Sequence, residues 1–235
     1  MKMQFQLQQA SGKKEEITLD LQKIINAGYT GRDQAAVQAH IDELKEEGIP
    51  APDKTPTYFP KFIDRLSQTE DIEVLDESDH SGEAEFVLIF DGKNVYVGVG
   101  SDHTDRKLET VDIPKAKQVY INTISKDLWN LADVVGHWDE MILRSWVKQD
   151  GKKVLFQEAT LDAMLAPEDL IARVKKLLVK PDNTDGLVVY SGTVAALCKT
   201  DYSNYFEVEI EDPKLGRKLS QKYTLNPVSN WYKGD

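Results

Sequence analysis

Hydrophobic residues in the first half of the chain follow both strand-like and helix-like spacing. In residues 3–7 apolar and polar side chains alternate, and residues 17–21 suggest a second strand after a turn at residues 11–14. Residues 33–47 instead place apolar side chains at helical spacing. The proline-rich residues 49–56 then predict an extended connector.

Strand patterns dominate the rest of the chain. Two pairs of apolar runs are each joined by a short polar turn, which predicts two β-hairpins. A helix is predicted from Pro167, because proline suits the first helical position and acidic residues suit the first turn. The predicted elements are short helix 60–66, strands 72–75, 83–90, 94–100, 141–147, 154–158, 187–190 and 206–210, and helix 167–178.

The length of the chain and the order of its elements limit the architecture. With 235 residues it forms one domain, or one domain with a small companion. We place the division between residues 1–75, which hold the N-terminal strands, the first helix and the connector, and residues 76–235, which we expect to form a strand-rich domain that carries the candidate chemistry. Helices are inserted between strands instead of alternating with them, which predicts a β-rich α+β fold.

Charge and composition narrow the functional classes. The net charge of −11 argues against nucleic acids and anionic membranes as partners, because both require a basic surface. No segment reaches the apolar length of a transmembrane helix, and the first residues lack the apolar stretch of a signal peptide. With the single cysteine Cys198 no intramolecular disulfide is possible. We therefore expect a cytoplasmic protein.

Three carboxylates are the strongest candidates for chemistry. Glu83 and Glu85 lie two residues apart in a predicted strand, so both side chains point to one face at the start of an apolar run. Like charges this close repel, and burial makes each more costly. A hard divalent cation removes the conflict, and Asp102 supplies a third oxygen ligand. The alternative is a pair of solvated glutamates and a turn aspartate.

The ordered set of segments around these carboxylates resembles the fumarylacetoacetate hydrolase superfamily, which includes acylpyruvate hydrolases, oxaloacetate decarboxylases and 2-oxo-pentenoate hydratases. The resemblance covers roughly residues 28–225, with gaps, and no single motif in it is specific. The similar segments are Gly31-Arg32 through His40-Ile41-Asp42-Glu43, Glu83-Ala84-Glu85, Ser101-Asp102-His103-Thr104-Asp105-Arg106, Ala116-Lys117-Gln118, Gln157–Met164 and Gly186–Thr193.

The resemblance implies a fold, a cofactor and an activity. The fold would be a mixed β-sandwich roll with inserted helices, and family members usually form homodimers. Glu83, Glu85 and Asp102 would bind Mg2+ or Mn2+. The protein would be a metal-dependent hydrolase or decarboxylase that cleaves a C–C bond in a small anionic 2-oxo acid or 1,3-dicarbonyl acid through a metal-stabilised enolate.

The resemblance also suggests roles for further residues. His40 and Glu43, three residues apart on one face of a helix, would form a lid pair that activates water. Lys117 would stabilise negative charge that develops on the substrate. The substrate would be bound by a second group of residues, namely Arg106, His103, Gly192 and Thr193. Arg106 has an alternative role, in which it pairs with a ligand carboxylate.

Two other functions remain open at this point. The first is a hydratase or isomerase with the same metal ligands, in which protons move and the carbon chain stays intact. The second is a non-catalytic metabolite-binding protein. It is suggested by the loop after Gly192-Thr193, which lacks the proline and later glycines of the family.

Overall fold

The computed structural model describes residues 1–46, 51–75, 77, 79–198 and 202–233, without the side chain of His40. The predicted end of the first helix at residue 47 and the first two residues of the predicted connector therefore lie outside the described residues. None of the described helices is long and apolar enough to span a membrane. The homodimer and the cytoplasmic location stay predictions.

Most of the described elements are strands, and short helices are inserted between them at irregular intervals, as expected for an α+β fold. In chain order they are β1 (Lys2–Gln8), β2 (Lys14–Asp20), β3 (Lys23–Gly28), α1 (Gln34–Glu46), β4 (Thr57–Lys61), β5 (Leu66–Ser67), β6 (Asp71–Val74), β7 (His80–Ser81), β8 (Ala84–Asp91), β9 (Asn94–Asp102), β10 (Thr104–Asp105), α2 (Arg106–Glu109), α3 (Ile113–Val119), β11 (Asn122–Ile124), β12 (Asp127–Asn130), α4 (Leu131–Val134), β13 (Ile142–Gln149), β14 (Lys152–Thr160), α5 (Pro167–Lys175), β15 (Leu187–Tyr190), β16 (Tyr205–Asp212) and β17 (Arg217–Pro227).

Two sheets contain most of these strands. The larger is a mixed sheet of ten strands, eight of them in the order β2-β1-β12-β9-β8-β15-β3-β4, with β11 joining β9 to β5. The smaller has five strands in the order β14-β13-β16-β17-β6, and β10 pairs separately with β7. The pairs β1–β12, β15–β3, β11–β5 and β17–β6 are parallel, which makes both large sheets mixed.

Most predicted elements are confirmed, including both hairpins and the helix from Pro167. The predicted helix at residues 60–66 is wrong over most of its length. Only Ile63–Arg65 form a helical turn, while Pro60 and Lys61 end β4 and pair with β3. The reason is long-range pairing, which overrides the local preference of so short a segment.

The two faces of the larger sheet have different neighbours. On one face, apolar side chains from nine of its strands form a single cluster that includes Phe5, Val87 and Tyr190, so the sheet curls around its own core. On the other face, Phe86 and Leu88 belong to a second cluster shared with the five-stranded sheet. Because β8 is buried on both faces, its residues 86–90 form a continuous apolar run without alternation.

Strand alternation puts the candidate carboxylates on the enclosed face. Glu85 shares the direction of Val87 in β8, and Asp102 shares that of Tyr96 in β9. Between them Gly100 has no side chain, and a Cβ atom there would lie 2.1 Å from the carbonyl oxygen of Thr123. Glycine therefore permits β11 to approach β9 closely beside the carboxylates.

Strands from both sides of the predicted domain division lie in the same sheets. From residues 1–75, β1 pairs with β12, β3 with β15 and β6 with β17, all partners from residues 76–235. The division itself stays a prediction.

Candidate metal centre

Glu83, Glu85 and Asp102 meet at the end of the β8–β9 hairpin. Glu85 lies opposite Gly100, and the backbone N–H of Asp102 donates to the carbonyl of Glu83 at 3.2 Å. One carboxylate oxygen from each of the three residues lies within 4.8 Å of the other two. Glu85 and Asp102 are each only 1% exposed. Three oxygen ligands at this spacing suit a hard divalent cation.

Lys117 bridges two of the three carboxylates. Its Nζ lies 2.9 Å from Glu83 Oε2 and 2.9 Å from Asp102 Oδ2, and it donates to Thr104 Oγ1 at 3.0 Å. Asp112 caps α3 by accepting from the backbone N–H of Lys115 at 3.0 Å, which fixes the start of the helix that carries Lys117. The lysine therefore faces the carboxylates, and its role toward a substrate stays a prediction.

A second buried lysine, Lys61, was not found by the sequence analysis. From β4 its Nζ lies 3.1 Å from Asp102 Oδ1 and also donates to Asn122 Oδ1, whose amide donates to Asn26 Oδ1 at 2.9 Å. Burial lowers the pKa of Lys61, while Asp102 opposes this change. Lys61 lies in a segment that was predicted to be helical, and no neighbouring residue in the sequence indicated a buried polar network there.

The two glutamates have opposite electrostatic environments. Burial opposes ionisation of Glu83, but Lys117 and Arg106 outweigh it and lower its pKa to about 2. Burial, and then Asp102 and Glu83, raise the pKa of Glu85 well above its ordinary value. Among the described residues no lysine or arginine forms an ion pair with Glu85, whose Oε2 accepts only from the backbone N–H of Gly192, at 2.7 Å. A cation bound to the three carboxylates would compensate the negative charge that Glu85 carries when it is ionised.

Arg106 is held by protein groups. Its Nη2 donates to Glu83 Oε1 at 3.0 Å, its Nη1 to Glu109 Oε2 at 2.8 Å and its Nε to Ser81 Oγ at 2.8 Å. This arrangement corresponds to the alternative in which Arg106 pairs with a ligand carboxylate.

The Gly192-Thr193 loop supports Glu85 and the start of β8. Gly192 has a φ of +83°, and its N–H points at Glu85. The Thr193 hydroxyl donates to the carbonyl of Ala84 at 2.8 Å and accepts from Gln157 Nε2 at 2.8 Å. Gln157 Oε1 in turn accepts from Ala84 N at 3.1 Å. The polar groups expected to bind substrate therefore position a carboxylate in this structure.

His103 follows directly after β9, and its ring contacts the five-stranded sheet and β7. Its Nδ1 is 3.0 Å from the Tyr223 hydroxyl of the five-stranded sheet, and its Nε2 is 2.9 Å from His80 Nδ1. Burial, His80 and Arg106 lower its pKa well below the ordinary value, which favours the neutral ring. The hydrogen bonds of the His103 ring are thus made with Tyr223 and His80, and its role in substrate binding stays a prediction.

The predicted lid pair is only partly described. Glu43 is exposed on α1, and the side chain of His40 lies outside the described residues. The helix is capped by Asp33, whose Oδ1 accepts from Ala35 N at 2.9 Å, and it buries Val37 and Ile41. The catalytic role of the His40–Glu43 pair stays a prediction.

A family model matches most of the sequence. The model of a family described as "Protein of unknown function (DUF2848)" matches residues 27–223. No curated protein matches the sequence.

Several solved structures share the fold. Cg1458 has a TM-score of 0.61 at 15% identity, over 93% of this chain and 83% of its own. The 2-keto-3-deoxy-D-arabinonate dehydratase complexed with magnesium and 2,5-dioxopentanoate has a TM-score of 0.61 at 14% identity, over 88% of this chain and 74% of its own. An Escherichia coli protein provisionally described as an isomerase has a TM-score of 0.58 at 17% identity, over 94% of this chain and 100% of its own. The resemblance to the fumarylacetoacetate hydrolase superfamily is thus confirmed at the level of the fold.

Replacing the bridging lysine tests the electrostatics of the metal-free site. We expect Lys117→Met to lower the free energy of unfolding in urea and EDTA by about 3–5 kcal/mol, because it leaves Glu83 and Asp102 buried without their shared partner. Lys115→Met, in the same helix with 76% of its side chain exposed, is the matched control and is expected to leave stability nearly unchanged. Equal effects of the two substitutions would contradict the buried bridge.

Proposed function

The chain belongs to DUF2848, a family of proteins of unknown function, and we propose from the geometry of its site that it is a Mg2+- or Mn2+-dependent enzyme acting on a small 2-oxo acid. The observation that carries this proposal is the convergence of Glu83, Glu85 and Asp102 on one buried point. The fold neighbour that binds magnesium and 2,5-dioxopentanoate supports both the metal and the substrate class.

The residues present fit a divalent ion. All three candidate ligands are hard oxygen donors, and the buried Asp102 Oδ2 accepts no hydrogen bond although Lys117 lies beside it. Three protein ligands leave about three of six octahedral positions for water or substrate. When bound, the ion would act as a Lewis acid toward substrate oxygens.

The surrounding residues hold the three carboxylates in place. Arg106 orients Glu83, the Gly192 N–H orients Glu85, and Lys61 orients Asp102. Each ligand thus has a donor of its own from a different segment of the chain. Such support fixes ligand geometry before a cation or substrate arrives.

Lys117 is the residue we assign to the chemistry. Its ammonium group contacts two of the proposed ligands and would face a substrate bound beside them, where it would stabilise negative charge developing on the substrate. For C–C cleavage by decarboxylation no further nucleophile is needed. For cleavage by hydrolysis, Glu43 would orient His40, which would take a proton from water.

A dehydratase or isomerase is the second candidate. It is favoured by the fold neighbours, which include a 2-keto-3-deoxy-D-arabinonate dehydratase and the protein provisionally described as an isomerase. Such a reaction would use the same ligands and Lys117, with proton transfer in place of C–C cleavage.

Metal binding is tested by melting curves with Mg2+ or Mn2+, with and without oxalate. Saturating metal at about 100 times its dissociation constant should stabilise the native state by about 2.7 kcal/mol. We expect Glu85→Gln to lose this stabilisation, because a neutral amide is a weaker ligand.

Glu209→Gln is the matched control, since Glu207 and Glu209 repeat the same spacing on a strand where they pair with Lys153 and Lys218. If Glu85→Gln kept the full metal response, the proposed site would be wrong.

The reaction type is tested by following a panel of 2-oxo acids and 1,3-dicarbonyl acids by NMR in deuterated water. Cleavage predicts two products or carbon dioxide, whereas the second candidate predicts deuterium uptake or loss of water with an intact carbon chain. Turnover should disappear in EDTA and in Glu85→Gln. Substrate that binds with metal but is always recovered unchanged would contradict the enzyme and favour a metabolite-binding protein.

A further inference from the structure

Glu109 is a buried acidic residue beside the site that the sequence analysis did not single out. It ends α2 and is 8% exposed. Its Oε2 accepts from Arg106 Nη1 at 2.8 Å, and its Oε1 lies 3.6 Å from Lys117 Nζ. Asp105 fixes this short helix by accepting from the backbone N–H of Leu108 at 2.8 Å. Glu109 is therefore held against two cations of the site without being a candidate metal ligand.

Glu109 changes the charge balance of the site. The described charged groups in this network are four carboxylates and three cations, namely Glu83, Glu85, Asp102 and Glu109 with Lys61, Lys117 and Arg106. With all of them ionised, the network carries one net negative charge. Buried charges are costly unless they are compensated, so this sum constrains what else the site can hold.

A divalent cation reverses the sign of this balance. It leaves one net positive charge, which a ligand with one negative charge would neutralise. A ligand with two negative charges would again leave an uncompensated charge. Without Glu109, the same network with the cation would carry two positive charges and would match a dianion.

Arg106 offers little to a second carboxylate. Each of its three guanidinium nitrogens already donates to the protein, to Ser81, Glu83 and Glu109. A second substrate carboxylate drawn to this guanidinium would lie beside Glu83 and Glu109, whose negative charges oppose it.

We propose that Glu109 is a specificity-determining residue that selects small 2-oxo acids carrying a single negative charge and rejects those with a second carboxylate. This inference rests on the proposed function, because it requires a divalent cation at Glu83, Glu85 and Asp102. It deepens that function by defining the charge of the substrate.

The test compares two ligands of nearly equal shape, oxamate with one negative charge and oxalate with two. Their dissociation constants are measured by calorimetry in saturating Mg2+ for the wild type and for Glu109→Gln, which keeps the size of the side chain and an acceptor for Arg106. The intrinsic affinity of each ligand for the metal cancels when the ratio of the two constants is compared between the wild type and the variant. We expect Glu109→Gln to shift this ratio toward oxalate by about tenfold or more, because one charge is removed at close range in a buried site.

Two controls separate the local effect from a general change in charge. Glu109→Asp keeps the charge and should keep the wild-type ratio. Asp20→Asn removes a charge at the exposed end of β2, where solvent screens it, and should also keep the ratio. An unchanged ratio in Glu109→Gln, or an equal shift in Asp20→Asn, would overturn the proposal.

A comparison on the wild type alone keeps the proposal testable if Glu109→Gln does not fold. In saturating Mg2+ the wild type should bind 2-oxobutyrate more tightly than oxaloacetate, which has equal chain length but a second carboxylate. Preference for oxaloacetate would overturn the proposal. Failure to bind either Mg2+ or Mn2+ would overturn the proposed function, whereas metal binding without the charge preference would overturn this inference only.

Discussion

The structure depends on the neutralisation of three carboxylates that two adjacent strands bring together on an enclosed face. Glu83 directly precedes β8 and Glu85 lies in it, and both face Asp102 at the end of β9. The side chains of Glu85 and Asp102 are almost fully buried. Burying like charges at this distance is unfavourable unless cations or donors reach them. The lysines and the arginine that do so therefore have to come from other segments of the chain.

This requirement explains why short segments are placed so closely around the hairpin. Lys61 reaches Asp102 from the end of β4, Lys117 reaches it from α3, and Arg106 reaches Glu83 from α2. The Gly192 loop adds a backbone donor to Glu85. Each segment contributes one donor, so the site joins distant parts of the chain and makes the curled sheet and the inserted helices depend on each other.

Local sequence patterns predicted the elements whose signal is contained in a few neighbouring residues. The spacing of Glu83 and Glu85 and the turn between β8 and β9 were enough to bring three carboxylates together. Lys61 and Glu109 were not predicted, because their burial depends on the pairing of β3 with β4 and on the position of α2. His103 was expected at the site through its neighbour Asp102, whereas its ring contacts Tyr223 of the five-stranded sheet.

The central claim is that these carboxylates form a divalent metal site, and anomalous diffraction from crystals grown with Mn2+ tests it most directly. The account predicts one strong anomalous peak at about 2.0–2.3 Å from one oxygen each of Glu83, Glu85 and Asp102. A peak elsewhere, or crystals in saturating Mn2+ in which Lys117 still bridges Glu83 and Asp102 with no ion beside them, would contradict it.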